Sequence, residues 1–471
     1  MTAIVPIVTV NASVVQAPTP NSLQQTGALV TQGGTNTAAN TLTPCSTLAA
    51  VQAILGPSNA ITSMAWSANV VTVTTTAPHG WTNADVIPIV IAGVTPTAYN
   101  GSFTGTITGA STLTYPLTPN PGSVTIQGTV TLGAVSELLQ MATTYFAGNG
   151  VLAVNVLELG EANVTPGVAT LTTFIANVLG TPQQQYAYLV PREWDDNAAF
   201  LTLCNNNTAV NAMLYFYVFT TYAHRTVYST PGYKCVYAEV EANDPGFTTP
   251  ATLGATEFSG ASAFGTALKQ QPSSTNKVPP LSYAPSYGTT AVPLRGNQTA
   301  IQNLANSSVG WIGTGQQGGV SGNILFQGKM SDGNFWSFWY STDWAQINMN
   351  QALANEVING SATSLNPLYY NQQGINRLQT RAAQVANQGV SAGLGNGQVI
   401  STNLPIATFL ANYNAGAYKG QIVINAEPFL TYTSENPSDY KIGKYSGLSC
   451  VWIPQLPFLN VLFNLQATTL I

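Results

Sequence analysis

Between residues 151 and 268, short apolar runs alternate with longer amphipathic segments, and that alternation limits the chain to few architectures. VLAVNVLEL (151–159), YAYLVP (186–191), AMLYFYVFTTY (212–222) and CVYAEVEA (235–242) read as strands. PGVATLTTFIANVLG (166–180), DDNAAFLTL (195–203) and EFSGASAFGTALK (257–269) carry helical spacing, the second capped by Asp195 or Asp196. Strands and helices in turn build a layered α/β sheet. STLAAVQAILGPSN (46–59) adds a short helix upstream, with Ser46 as its N-cap and Gly56 as its stop. The expected α/β domain covers 21–57 and 136–295 and ends in a Pro/Ser/Tyr-rich loop over about 271–295.

Residues 58–135 interrupt this domain. They are rich in Thr, Val and Gly, carry one charged side chain, Asp85, and show no helix signal. NVVTVTTTA, DVIPIVIAGV, GSFTGTITG, STLTYPL and GSVTIQGTV read as short strands joined by turns. Because AILGPSNA would otherwise run straight into VSELLQMATTYFAGNG, the segment reads as an inserted all-β module.

Both ends alternate with period two. In AIVPIVTVNASVV (3–15), Ile4, Val8, Val10 and Val14 share one face. In LPFLNVLFNLQATTLI (456–471), Leu459, Val461, Phe463 and Leu465 do the same, opposite Asn460, Asn464 and Gln466. These are half-buried strands without an obvious sheet of their own, so 1–20 and 456–471 read as strand arms.

Only 6% of residues are charged, with a net charge of −5. That excludes the basic footprint of a nucleic-acid binder. Amides and hydroxyls must carry the surface, which lacks the charge that keeps monomers apart and suits burial against other copies. The longest apolar run, around AMLYFYVFTTYA, is too short to cross a bilayer. MTAIVPIVTV has no positive n-region, so synthesis in a reducing cytoplasm is the expectation. Cys45, Cys204, Cys235 and Cys450 have no CxxC spacing and are expected to be free thiols.

Residues 296–455 form a second region. NILFQGKMSDGNFWSFWYS (323–341) reads as a hairpin turning at Asp332-Gly333. Two helices follow, one striped by Trp344, Ile347, Ala354 and Ile358 and ending at Asn359-Gly360, the other by Ile375, Leu378, Ala382, Val385 and Ala386. Beside the second stripe lie Arg377, Arg381, Gln384 and Gln388.

The signals for chemistry are weak. GTGQQG (313–318) satisfies GxGxxG but follows no convincing strand and opens no helix. GVSAG (389–393) satisfies GxSxG at the end of a helix, where Gly389 and Gly393 explain it as a terminator. His79, in APHGW, shapes a turn; His224 has no ligand cluster at metal spacing. Glu239 and Glu241 alternate on one strand face and are expected in solvent. No catalytic, metal or cofactor constellation emerges, and the expectation is a structural protein and not an enzyme.

GKMSDGNFWSFWYSTDWAQINMNQALANEVI and LNPLYYNQQGINRLQTRAAQVANQG resemble the tail sheath proteins of contractile-tailed bacteriophages. The matching positions are Gly328, Asp332-Gly333, Asp343-Trp344, and Tyr370 with Gly374-Ile375. STLAAVQAILGPSN with MATTYFAGNGVLAVNVLEL is similar to the family's N-terminal half, while 58–135 resembles a β module found within several phage structural proteins. The resemblance implies sheath-type layered α/β (α+β) domains, hexameric rings stacked helically as a homo-oligomer, and terminal arms exchanged between subunits. It further implies contraction that drives the tube through the host envelope, and an inner C-terminal domain whose Arg377, Arg381, Gln384 and Gln388 face the tail tube protein. Baseplate and tail terminator proteins would be further partners, in a virion assembled in the bacterial cytoplasm without insertion into a membrane. The alternative is a baseplate protein or adhesin that holds host glycan through the β module.

Overall fold

A computed structural model of the chain describes residues 23–161, 163–294, 297–315, 322–362 and 364–459. Of the arm residues, Ile4, Val8, Val10, Val14, Val461, Phe463 and Leu465 lie outside these, and Leu459 sits in a bend at the last described position. The chain enters through β1 (Gly27–Thr31), β2 (Thr41–Cys45) and α1 (Leu48–Ile54). Thr47, not Ser46, caps α1, because its side chain stands where it can accept from the Ala50 N–H. The helix ends at Ile54, ahead of Gly56.

β3 (Asn59–Ser67), β4 (Val70–Thr75), β5 (Val86–Ala92), β6 (Gly101–Gly109), β7 (Thr112–Pro116) and β8 (Thr129–Leu132) then close into a barrel, ordered β3-β4-β7-β6-β5-β8. Alternation builds it: Val71, Val73, Ile87, Ile89, Ile107, Leu113 and Tyr115 fill the interior while the Thr and Ser residues between them face out. Gly105 makes room for a neighbour, since a Cβ there would stand 2.9 Å from Ile89 Cδ1. His79 shapes a turn beside the barrel, its Nδ1 accepting from the Trp81 N–H.

The remaining sheet elements are α2 (Gly133–Ala147), β9 (Val154–Glu158), α3 (Val164–Val178), β10 (Ala187–Leu189), α4 (Ala198–Ala209), β11 (Tyr215–Phe219), β12 (Val236–Val240), α5 (Gly260–Leu268), α6 (Gln298–Asn306), β13 (Gly310–Thr314) and β14 (Asn323–Phe326). The strand order is β14-β13-β12-β11-β10-β1-β9-β2. From β13 to β9 the strands run parallel; the two edges, β14 and β2, are antiparallel. Period two divides the strand residues between two cores. Leu29, Leu189, Tyr217 and Tyr237 join α2 and α5, whereas Val30, Tyr188, Phe216 and Ala238 join α3, α4 and α6. Contrary to the sequence pattern, a strand, β13, does run into GTGQQG. The next described element is the antiparallel β14 and not a helix, so the motif lacks its nucleotide context.

The chain finishes with α7 (Trp336–Ala362), α8 (Gln372–Ser391), β15 (Gln398–Thr402), α9 (Ile406–Asn414), β16 (Gln421–Ala426), α10 (Phe429–Glu435), α11 (Pro437–Lys441) and β17 (Leu448–Val451). The expected hairpin survives only as its turn, where Lys329 bridges Phe335 around Gly333. Its aromatic second strand is instead the start of α7, and Asp343-Trp344 lies inside that helix and does not open it. The reason is spacing: Trp336, Tyr340 and Ile347, four and seven apart, all bury in the core shared with α2 and α5. Further along, Leu353 packs on Ala382 and Ala386 of α8 and on Ile422 and Ile424 of β16, while Ile358 is exposed. One helix thus joins the large sheet to the three-stranded sheet β15-β16-β17.

The barrel has its own apolar interior, separate from the sheet cores. Leu113→Ala should therefore cost about 2–5 kcal/mol locally. Hydrogen exchange should accelerate across 59–132 and leave β9–β12 protected; equal loss in both would mean the barrel and sheet unfold together.

Candidate functional site

In this strand order the chain steps from β1 to β9 on one side, then crosses to β10 on the other. The switch point lies between β1 and β10, where doubly wound sheets hold ligands beyond the carboxyl ends of their strands. A cleft of about 240 Å³ does open there, lined by Gln32, Glu137, Gln140 and Arg192, with Ile87 and Ile89 of the barrel as its far wall.

The chain's own side chains occupy the polar positions around it. Arg192 directs Nε and Nη2 at the two Glu241 carboxylate oxygens, each at 2.9 Å, and Nη2 also at the Glu257 carbonyl at 3.0 Å. Nη1 donates to Gln140 Oε1 at 2.9 Å and Glu137 Oε1 at 3.4 Å. The guanidinium lies 4.2 Å from the Phe258 ring centroid. Burial pulls its pKa down, but Glu241 and Glu137 outweigh that and hold it above its usual range. All five N–H groups are committed, so Arg192 recruits an outside anion only by giving up Glu241.

A second anion position is filled in the same way. Glu158, at the end of β9, accepts from the N–H groups of Gly33 (2.7 Å), Thr35 (2.9 Å) and Gly160 (2.7 Å) and from the Thr35 hydroxyl (2.8 Å). A nest of amides that could cradle phosphate is closed by a carboxylate.

Other acidic residues are also placed differently from the sequence expectation. Glu239 and Glu241 are not solvated; both are nearly inaccessible. Burial pushes Glu239 up to about 8, with Glu241 and Glu257 adding to the effect. Neither Asp195 nor Asp196 caps α4; Asn197 does, accepting from the Ala199 and Phe200 N–H groups. Asp195 instead meets His224 Nδ1 at 2.8 Å and accepts from the Thr221 N–H and the Tyr228 hydroxyl. His224 and Asp195 are 29 residues apart, a pairing that no local pattern announces. Burial lifts Asp343 to about 6, opposed by hydroxyl donors Tyr215 (2.6 Å) and Tyr186 (2.9 Å) and by the charge of Lys234. Cys45, Cys204, Cys235 and Cys450 are free thiols. Among the described residues no group of three or more His, Cys, Asp and Glu could hold a metal ion.

On α8 the four polar candidates divide. Arg377 pairs with Glu356 through Nε and donates Nη1 to the Asn366 carbonyl at 2.8 Å. It therefore links α7 to α8 within the subunit. Arg381 bonds Gln384 at 3.0 Å on the helix surface, and Gln384 and Gln388 are exposed. Ser391 is the last residue of α8, ahead of Gly393 at φ 73°, which ends the helix as expected; Gly389 does not, since it lies inside the helix where Trp344 and Trp452 pack closely.

Sheet edges supply the other surface. The β14 edge is covered by the loop before α6, through Tyr283 N–H to Leu325 O, Leu325 N–H to Ala284 O and Ser286 N–H to Asn323 O. On β2, Pro44 interrupts the outer edge. The barrel is closed. β15 and β17 have no further strand beside them among the described residues, and they stand at the two sides of the small sheet.

No protein-family model matches this chain, and no curated protein does. Among solved structures it is similar to the helical sheath of the anti-feeding prophage (AFP) in its contracted state, at 11% identity and a TM-score of 0.49, covering 99% of each chain.

Glu239 is protonated in the fold at neutral pH and ionised when unfolded. Its contribution is complete below about pH 4.5 and lost as pH rises through about 8. Glu239→Gln should flatten the fall in Tm over that window, an effect bounded at about 5 kcal/mol. An unchanged slope in thermal melts would assign the loss to another group.

Proposed function

We propose that this chain is the subunit of a contractile phage tail sheath, polymerising as stacked hexameric rings around a tail tube. What supports the proposal is that two strand edges, β15 and β17, have no further strand beside them among the described residues, while the sequences of two terminal segments alternate as those of half-buried strands do. Ile4, Val8, Val10 and Val14 of one arm, and Leu459, Val461, Phe463 and Leu465 of the other, supply the apolar faces. Strand addition gives affinity through backbone hydrogen bonds and register through alternate side chains. Each buried side chain of this kind contributes roughly 1.5–3 kcal/mol. Such contacts are head-to-tail, so they propagate into a helix and do not close on themselves.

The sheath motifs point the same way, and so does the switch-point cleft, whose Arg192 is already committed to Glu241. In this reading the arms keep subunits joined while their bodies move, contraction drives the tube through the host envelope, and the tube, baseplate and terminator proteins are the partners. The tube contact falls to Arg381, Gln384 and Gln388, with Arg377 withheld by Glu356.

Negative-stain microscopy of the purified chain should show long tubes. Deleting 1–16 or 460–471 should leave a folded, soluble subunit that forms none, and tubes from both deletions would overturn the arm exchange.

The two arginines separate in their effects. Arg381→Glu should leave empty tubes intact but prevent co-sedimentation with tube protein. Arg377→Ala should lower subunit stability by about 1 kcal/mol, because a partly exposed pair contributes little more, and should leave co-sedimentation unchanged. Normal tube binding by Arg381→Glu would remove this face from the tube contact.

A further inference from the structure

Lys234 is the one buried lysine among the described residues, with 5% of its surface exposed. Its Nζ stands 4.7 Å from the centroid of the Trp339 ring and donates to the side-chain oxygen Oδ1 of Asn211. No ion pair with a carboxylate holds it among the described residues. A buried ammonium without a paired carboxylate is costly. A carboxamide is therefore the polar group that the fold sets against its most buried amine.

The large sheet produces this meeting. β11 and β12 lie side by side in parallel, with Phe216 opposite Val236, so the segments leading into them also run together. Asn211 sits in the turn out of α4, at φ 53° and with its N–H bonded to Thr208 O at 3.1 Å. Lys234 sits in the turn before β12, which the Val236 N–H closes on Tyr233 O at 3.2 Å. Both backbones are fixed, so their side chains meet in one geometry.

Burial pushes the Lys234 ammonium below its usual range, and Asp343, Cys235 and Asp332 oppose that shift without cancelling it. A desolvated lysine loses its proton more readily, and the neutral amine is a nucleophile. The carboxamide carbon is one bond from the oxygen that Nζ already touches, and holding two reactants in contact replaces a bimolecular step with a unimolecular one. We propose that Lys234 and Asn211 join in an isopeptide bond within the subunit. Neutral Nζ attacks Asn211 Cγ; the Nζ–Cγ bond forms and the Cγ–Nδ2 bond breaks. One Nζ proton passes to Nδ2, which leaves as ammonia, and the other remains on the new amide. No oxidant, metal or cofactor enters the balance. Asn211 is partly exposed, so the ammonia has a way out. The product carries no charge, which removes the buried ammonium, and it closes residues 211–234 into a covalent loop across the leads of two central strands. The inference stands apart from ring assembly, because both residues belong to one chain.

The test is mass spectrometry of the purified full-length chain. In an unlinked chain trypsin cuts after Arg192, Arg225, Lys234 and Lys269. A linked chain keeps Lys234 uncut and yields residues 193–225 joined to 226–269, lighter than the two together by one ammonia. That branched peptide is the expected result, with fragment ions placing the junction at Asn211 and Lys234. Asn211→Gly, which suits the positive φ and removes the carboxamide, should release the two peptides separately, as should Lys234→Met. Three results would overturn the proposal. One is a folded wild-type chain that is cut after Lys234 and keeps an intact Asn211. Another is loss of ammonia without the branched peptide, which would assign the loss to cyclisation of an asparagine. The third is a branched peptide that survives Asn211→Gly.

Discussion

Backbone hydrogen bonding at the sheet edges is the constraint around which this molecule is arranged. Soluble β-proteins often protect an edge with lysines, whose charge and desolvation cost repel another strand. A chain with 12 Lys and Arg residues in 471 has few to spend on this. Protection here is geometric. Six strands close into a barrel, a loop covers β14, and proline breaks the outer line of β2. β15 and β17 carry no such device among the described residues. The proposed strand addition rests on that contrast more than on their length or apolarity.

Charge scarcity on the surface is sharpened by where the charges go. Seven of the 17 acidic residues are buried: Glu158, Glu239, Glu241, Asp244, Glu257, Asp343 and Glu427. Several serve as internal acceptors at places where a parallel sheet leaves donors uncovered. Glu158 collects the amides of the loop after β1, and Glu241 holds Arg192 at the switch point. Removing one partner of such a set strands the rest in a medium that solvates charge poorly. The fold thereby uses its carboxylates to pair the donors around the switch-point cleft.

α7 carries the second structural burden. Its first turns belong to the large sheet's core and its later turns to the small sheet's core, so one helix connects the two. Asp343 fastens the helix to Tyr186, just ahead of β10, and to Tyr215 of β11 through their hydroxyls, and Arg377 with Glu356 fastens it to α8. A rod held at both ends couples the two cores mechanically.

The sequence by itself determined the alternation of strands and helices over 151–268, the all-β character of 58–135 and the stripe of α8, because each rests on a local period of two or 3.6. It also determined the polar, weakly charged surface. It misread FWSFWYS as a strand, since aromatic residues favour strands and only the core beneath them selects the helical spacing of Trp336 and Tyr340. β13 was missed because its glycines hide a strand that is recognised by its neighbours. Tertiary structure alone decided the site chemistry: that Glu239 and Glu241 turn inward, that Asp195 meets His224, that Arg377 is taken by Glu356 while Arg381 is not. Those outcomes depend on which residues distant in sequence share a low-dielectric interior, and a one-dimensional pattern carries no such distance.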